Sequence, residues 1–391
     1  MRRLRIQEPP LTHIESTPLP DTLIVSKQQR QEGGADVGKT TAAKKYVAID
    51  CHDSTLVFEV VSGGGDLEMK GTVATRADVI RNVIDGLKAP LEIVFEEGIL
   101  AQWLYEVLRP TGHRIVVCDP RKNRRQGNKS DRIDAHTLVT KLRLGELSPV
   151  FHETGSVQAL KELSGIYQAL VQDSVRVMQR AKSVYRARAI RCRGEAVYKA
   201  ETRKEWLGQL TASARFRAGL LYEELDTIRP LRQKAKNAMI KEARRHPAYQ
   251  ILVSVPFIGP IRAAQLLATL ITPWRFRTRR QLWSYAGLAV VTSSSAEQEV
   301  VDGKLVRRNR RPMTRGLNPN HNHLIKEIFK ATAHDAARRD GAWKSFYEAL
   351  VTKGMREEMA LLTLARKIAA VVLSMWKKGV SFDPRRISPT T

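Results

Sequence analysis

Apolar and polar positions along the chain change rhythm three times. Residues 1–44 show no sustained period, and their mix of Pro, Gln, Gly and charge predicts a disordered leader. From Tyr46 short apolar runs take over. YVAID (46–50) and STLVFEVV (54–61) predict two strands around a short turn, and GDLEMKGTVAT (65–75) a third. ADVIRNVIDGLKA (77–89) has the spacing of an amphipathic helix and LEIVFEE (91–97) that of a buried strand. ILAQWLYEVLRPTG (99–112) reads as a helix stopped by Gly112, and HRIVVCDP (113–120) as another strand. Strands first, then helix alternating with strand, predict an α/β domain with a mixed sheet over 45–155.

The second rhythm is a long helical one, over 156–247. Leu160, Leu163, Tyr167, Leu170, Ser174, Val177, Ala181 and Val184 follow 3-4 spacing, a coiled-coil-like seam with one polar and one small position. Such a seam pairs either with another helix of the same chain or with a second chain. A third, mainly helical unit is expected over 248–380, followed by a tail at 381–391. It opens on ILVSVPFIGPIRAAQLLATL (251–270), where Pro256-Phe257-Ile258-Gly259 turns the chain into a helix. A turn that ends in Gly259 and starts a helix offers backbone N–H groups to a phosphate, as helix-hairpin-helix elements do.

Charge narrows the function classes. Over 391 residues, 66 Lys+Arg oppose 40 Asp+Glu, leaving +26. That excess points to a polyanion, with nucleic acid ahead of anionic membrane. Cys51, Cys118 and Cys192 stand far apart without a C-x-x-C pair, which argues against disulfides or a zinc ribbon and fits a reducing cytoplasm. The N-terminus lacks an apolar signal core, and the apolar stretch 359–376 is broken by Arg366 and Lys367, so no membrane span is expected.

Two patterns compete for chemistry. Gly33, Gly38, Lys39 and Thr40 match the P-loop spacing, yet no strand leads into Gly33 and no room for a helix follows Thr40, so nucleotide binding is not expected there. The acids are more informative. Asp50 and Glu96 each end an apolar strand, while Asp131 and Asp134, three apart in KSDRIDAHTL, share one face at the start of a helix. Four carboxylates so arranged suit one or two Mg²⁺ ions, which prefer hard oxygen ligands. His136 beside them reads as support rather than ligand. His321 and His323 precede a helix, where N-capping around Asn318–Asn322 is the simplest role.

YVAID, VFEEG, VVCDPRKNRRQGNKSDRIDAHTL, SVPFIGPIRAAQLLA and YAGLAVVTSSSAEQ occur in an order that resembles the DEDD transposases of bacterial insertion sequences, relatives of Piv-type DNA invertases known as bridge-RNA-guided recombinases. The likeness covers about 46–151 and 250–336. It implies a RuvC-like domain of RNase H fold, a long helical connector and a small helical transposase domain. It also implies four acids on Mg²⁺, here Asp50, Glu96, Asp131 and Asp134, with Glu97 as the alternative to Glu96. A serine nucleophile is implied after YAGLA. Counting from Gly287 selects Ser295, with Ser294 as the alternative and Ser293 beside them.

Cations surround both implied sites. Arg121, Arg124, Arg125 and Lys129 precede the DRIDA segment, and Lys304, Arg307, Arg308, Arg310, Arg311 and Arg315 follow the serines with no acid between them. With Gly259, they are the expected nucleic-acid contacts. The implied partners are DNA at the element ends and target, a structured noncoding RNA, and one or three further copies of the chain, in a cytoplasmic, nucleoid-associated assembly. Two rival readings remain: a RuvC-like junction nuclease using water, and a non-catalytic nucleic-acid-binding protein.

Overall fold

The computed structural model describes residues 44–120, 131–152, 155–293, 298–301, 304–307 and 313–387. The expected leader up to residue 43, with its P-loop spacing, and residues 388–391 lie outside these.

β1 (Lys45–Cys51), β2 (Thr55–Val61) and β3 (Leu67–Ala74) form an antiparallel meander. β4 (Leu91–Glu96) and β5 (Arg114–Cys118) continue the sheet parallel to β1, and a short β6 (Pro149–Val150) returns antiparallel to β5. The strand order is β3-β2-β1-β4-β5-β6. Side chains alternate across a strand, so β1 and β4 send Val47, Ile49, Ile93 and Phe95 to one face. There they meet α1 (Ala77–Gly86) and α2 (Ala101–Leu108) through Ile80, Ile84, Leu104 and Leu108. Ala48, Val94 and Cys118 face the other way, onto Ala135, Leu138, Val139 and Leu142 of α3 (Asp131–Leu144). Coverage on both faces explains why these strands read as continuous apolar runs. Gly112, left-handed, closes the 3-10 turn Arg109–Thr111 that follows α2 and so stops the helical run that the sequence predicts.

The long helical segment is an antiparallel hairpin of α4 (Ser156–Arg186) and α6 (Ala212–Ala243), with short α5 (Arg203–Gly208) in the connection. The heptad seam is filled from within the chain. Val177, Ala181 and Val184 share a core with Ala214, Ala218 and Leu225 of α6, and Leu160 meets Met239 and Ala243. Buried Ser174 satisfies its hydroxyl on the Leu170 carbonyl, 2.8 Å away. Helix α6 runs through Pro230, a residue that ordinarily interrupts a helix.

The C-terminal unit surrounds α12 (Glu357–Lys378), whose Leu364, Ile368 and Val372 are buried among α7 (Ala248–Val253), α8 (Pro260–Leu270), α9 (Arg279–Tyr285), α10 (His323–Arg338) and α11 (Ala342–Thr352). By length and composition α12 is apolar enough to cross a membrane, but half of its apolar window is buried inside this unit. Glu357 and Glu358 in its first turn, Lys377 and Lys378 in its last, and left-handed Gly379 define its ends. Within this mainly helical unit the chain departs from the sequence reading: its described residues include the short strands β7 (Val290–Ser293), β8 (Gln298–Val301), β9 (Lys304–Arg307) and β10 (Met313–Leu317). β7 pairs with β10 and β8 with β9, both antiparallel.

Candidate active site at the carboxyl edge of the sheet

Asp50 and Glu96 meet because of register. β1 and β4 run parallel with Ile49 opposite Phe95, so Asp50 and Glu96 are the next pair along, on strands about 5 Å apart. Both belong to the face of Ala48 and Val94, the face that α3 covers. Asp131 and Asp134 head α3, one helical turn before Ala135 and Leu138, which rest on that face. Helix direction agrees: Arg143, near the end of α3, approaches Gly65 in the β2–β3 turn at the far edge, so the head of α3 lies toward Asp50. For Asp131 and Asp134 only the backbone course is described. Among the described residues no group of three or more His, Cys, Asp or Glu side chains gathers as a metal site.

The neighbours of these acids divide the two candidate glutamates. Glu97 holds His152, a buried side chain whose other ring nitrogen lies 2.9 Å from Gln102 on α2. Burial alone would raise the Glu97 carboxyl, but the hydrogen bond and charge of His152, with the charge of Lys161, outweigh it and hold it below its ordinary value. Glu97 is thus committed to the α2 side of the sheet, while Glu96 lies in register with Asp50 on the other. Next to Asp50 are His52, its Nε2 3.4 Å from the Asp50 carboxylate, and Cys51, whose thiol is pushed up to about 12 by burial and by the Asp50 charge. At neutral pH Cys51 is therefore a thiol rather than a nucleophilic thiolate.

One buried pair beside these acids escapes the sequence reading. Glu59 on β2, opposite Ala48, is 6% exposed, and its carboxylate lies 2.5 Å from His136 Nδ1 on α3. A buried carboxylate requires a partner. Here the partner sits two residues beyond Asp134, so Glu59 ties the head of the DRIDA helix to the sheet.

Across from this edge stands the root of the β7–β10 ribbon. Asn318 N donates to the Ala289 carbonyl, and Arg366 Nε to that of Leu288. Gly287 is left-handed, and a Cβ there would collide with the His321 ring. Asn322 caps α10 by accepting from Ile325 N, as expected, and His321 Nδ1 donates to the Asn318 carbonyl. A cleft of about 1020 Å³ opens between the two units, lined by Asp119 and Phe151 on one side and by Arg275, Tyr285, Asn318 and His321 on the other; Asp50, Glu96 and Ser293 are not among its lining residues. The Arg275 guanidinium lies 5.1 Å from the Phe151 ring and 5.3 Å from that of Tyr285, tying the units together at the cleft.

Ser293 ends β7, whereas Ser294 and Ser295 lie outside the described residues, as do Arg121, Arg124, Arg125, Lys129, Arg308, Arg310 and Arg311. Lys304 and Arg307 fall on β9 and Arg315 on β10, so half of the expected cationic run follows strands. Gly259 is the extended N-cap of α8, exposed, with open space where a Cβ would point.

Comparison with known proteins bears on both sides of the cleft. A transposase model of the DEDD type from IS110 elements matches residues 47–188, and the model of the IS116/IS110/IS902 transposase family matches 249–348. The 43.6 kDa protein of insertion element IS110 from Streptomyces coelicolor is 31% identical over 140 residues, 36% of this chain and 31% of that protein. The 44.8 kDa protein of element IS116 from Streptomyces clavuligerus is 27% identical over 34% of this chain and 31% of its own length. The y4qE protein of Sinorhizobium fredii, which bears a transposase name, is 23% identical over 85% of this chain and 87% of its own. The alignments thus span about a third of the two Streptomyces relatives and most of the third. One family accounts for the acid-bearing sheet and for the helical unit beyond the connector, and the chain belongs to it: the DEDD transposases of IS110-type insertion sequences.

Proposed function

We propose that this chain exchanges DNA strands through a covalent protein–DNA intermediate, with Ser295 as nucleophile and Mg²⁺ held by Asp50, Glu96, Asp131 and Asp134. The observation that carries this reading is the in-register pair Asp50 and Glu96, on the sheet face covered by the helix that Asp131 and Asp134 head. A meander followed by two strands parallel to β1, in this order, is the pattern of the RNase H fold, which supports a RuvC-like domain over 45–155. The connector is then 156–247 and the transposase domain 248–380, between a leader at 1–44 and a tail at 381–391.

Hard carboxylate oxygens fit Mg²⁺ and leave positions open for phosphate oxygens. When bound, the ion supplies charge neutralisation and polarises the phosphoryl group. The remaining chemistry belongs to the chain. The Ser295 Oγ–P bond forms as one backbone P–O bond of DNA breaks; the serine proton passes to a base, and the departing DNA hydroxyl takes up a proton. A hydroxyl of the exchanged strand then attacks the same phosphorus and frees the serine. Lys304, Arg307, Arg308, Arg310, Arg311 and Arg315 stabilise charge on the phosphoryl oxygens. Arg121, Arg124, Arg125, Lys129 and the exposed N-terminus of α8 at Gly259 hold the flanking backbone. In this reading a structured RNA selects the DNA, and two or four chains assemble at the nucleoid of a reducing cytoplasm.

The test replaces Asp50 by Ala and, separately, Asp134 by Ala. Each change is expected to abolish strand exchange and weaken Mn²⁺ binding in a calorimetric titration, while DNA binding persists. Full activity in both variants, or activity undiminished in excess chelator, sinks the metal-site reading.

A further inference from the structure

The hairpin of α4 and α6 ends in a head with its own core, built from Val184, Tyr185, Cys192, Val197, Tyr198 and Tyr222. Residues 187–202, which cross between the helices, hold no regular element beyond one turn at Ala196–Tyr198. They are nevertheless firmly pinned. Tyr222 OH donates to the Val197 carbonyl (2.8 Å), Tyr198 OH to that of Met178 (3.0 Å), Arg229 to that of Tyr198 (2.9 Å) and Lys182 to that of Gly194 (2.9 Å). Ordering a long irregular segment is entropically costly, and such segments in folded domains usually serve a function.

What this segment displays is arginine. Arg186, Arg188, Arg191 and Arg193 are all exposed within eight residues, and among the described residues none of them is in an ion pair. Asp226, by contrast, is already engaged by Arg203 and Arg229. Lys182, near the end of α4, reaches the Gly194 carbonyl of the crossing segment, so the last turn of α4 and the segment that carries Arg191 and Arg193 lie side by side. Four exposed like charges within eight residues of chain call for an anionic partner, and guanidinium forks suit phosphate. From Leu160, in the C-terminal core, to Arg186, α4 rises about 39 Å, which corresponds to roughly eleven base pairs of duplex.

We propose that this head grips the phosphate backbone of duplex DNA about one helical turn from the catalytic edge, as a sequence-independent second anchor. The proposal rests on the DNA partner inferred above. Its test uses the full chain carrying Arg186→Gln, Arg188→Gln, Arg191→Gln and Arg193→Gln together, and a random-sequence DNA duplex of about 40 base pairs, long enough to span both anchors. Affinity is measured by anisotropy across a salt series. The slope of log K against log salt is expected to become shallower by about 0.9 for each phosphate that the variant no longer neutralises, roughly 2–4 in all, with the thermal midpoint unchanged. Should the quadruple variant fail to fold, Arg191→Gln with Arg193→Gln carries the test, with an expected change of about 1–2. An unchanged slope in a folded variant, beside a steep wild-type slope, overturns the head anchor alone; a flat wild-type slope would overturn the DNA reading itself. A change confined to an RNA duplex of the same sequence also overturns the proposal, assigning the head to RNA.

Discussion

The two sides of the cleft are built on different principles. Asp50 and Glu96 stand at the ends of strands whose Ala48, Ile93, Val94 and Phe95 are fully buried, in a sheet covered on both faces, with Asp131 and Asp134 at the head of the covering helix. Ser293 ends β7, whose pairing with β10 adjoins the helical core at Leu288, Ala289 and Asn318, with Val290 and Val291 39% and 36% exposed at the root. A two-stranded ribbon is marginal in isolation, so its placement depends on that root. Asp50 and Glu96 thus sit on a deeply buried sheet, whereas Ser293 ends a strand of a two-stranded pairing.

If the root positions the ribbon, Gly287→Ala is the most damaging change on that side. It forces a left-handed alanine and drives a Cβ into His321, for an expected loss of about 2–5 kcal/mol, measured by denaturant unfolding. A loss below about 0.5 kcal/mol, within the ordinary range of surface substitutions, would show that the root adapts freely and would break the contrast with the sheet. On the acid side, Glu59→Gln and His136→Gln leave every proposed ligand in place but loosen the head of α3. Mn²⁺ affinity should fall about 10–100-fold in a calorimetric titration, with DNA binding intact. Unchanged affinity in both variants would mean that the sheet alone sets the site. A control far from both sides is Asp226, whose carboxyl is held below its ordinary value by the Arg203 hydrogen bond, against a smaller effect of burial. A carboxyl lowered in the folded state stabilises above its unfolded value and loses that stabilisation as pH falls. Asp226→Asn should therefore cost at most about 1 kcal/mol at pH 7, and its gap from wild type should close below about pH 4. A gap that persists in acid would assign the cost to packing.

Legibility in the sequence follows the same division. Apolar runs ending in Asp50 and Glu96, and Asp131 with Asp134 on one helical face, are local patterns that survive into the fold because buried strands and amphipathic helices are dictated by period. Glu59 is harder to read, although a charge inside STLVFEVV signals a buried carboxylate in need of a partner. His136 reads as a neighbour of the acids, but its tie to β2 is a tertiary fact that spacing alone does not contain. The ribbon is hidden for another reason. Asp302-Gly303 between QEVV and KLVR is a hairpin signal, but the serines and arginines around it read as a polar loop. The seam of α4 leaves its partner open, because a heptad states only that a helix is paired and not with which chain.

The most direct measurement is the covalent adduct. Full-length protein is incubated with DNA and Mg²⁺, denatured, and resolved by electrophoresis, with Ser293→Ala, Ser294→Ala, Ser295→Ala and Asp50→Ala in parallel. A denaturation-resistant protein–DNA species is expected in wild type, Ser293→Ala and Ser294→Ala. It should be absent from Ser295→Ala, which still binds DNA, and from Asp50→Ala, because the two sides of the cleft act together. Loss in Ser294→Ala alone would move the nucleophile by one residue. DNA cleavage that proceeds in all three serine variants without any adduct would contradict the account and assign the chemistry to water at the acid edge.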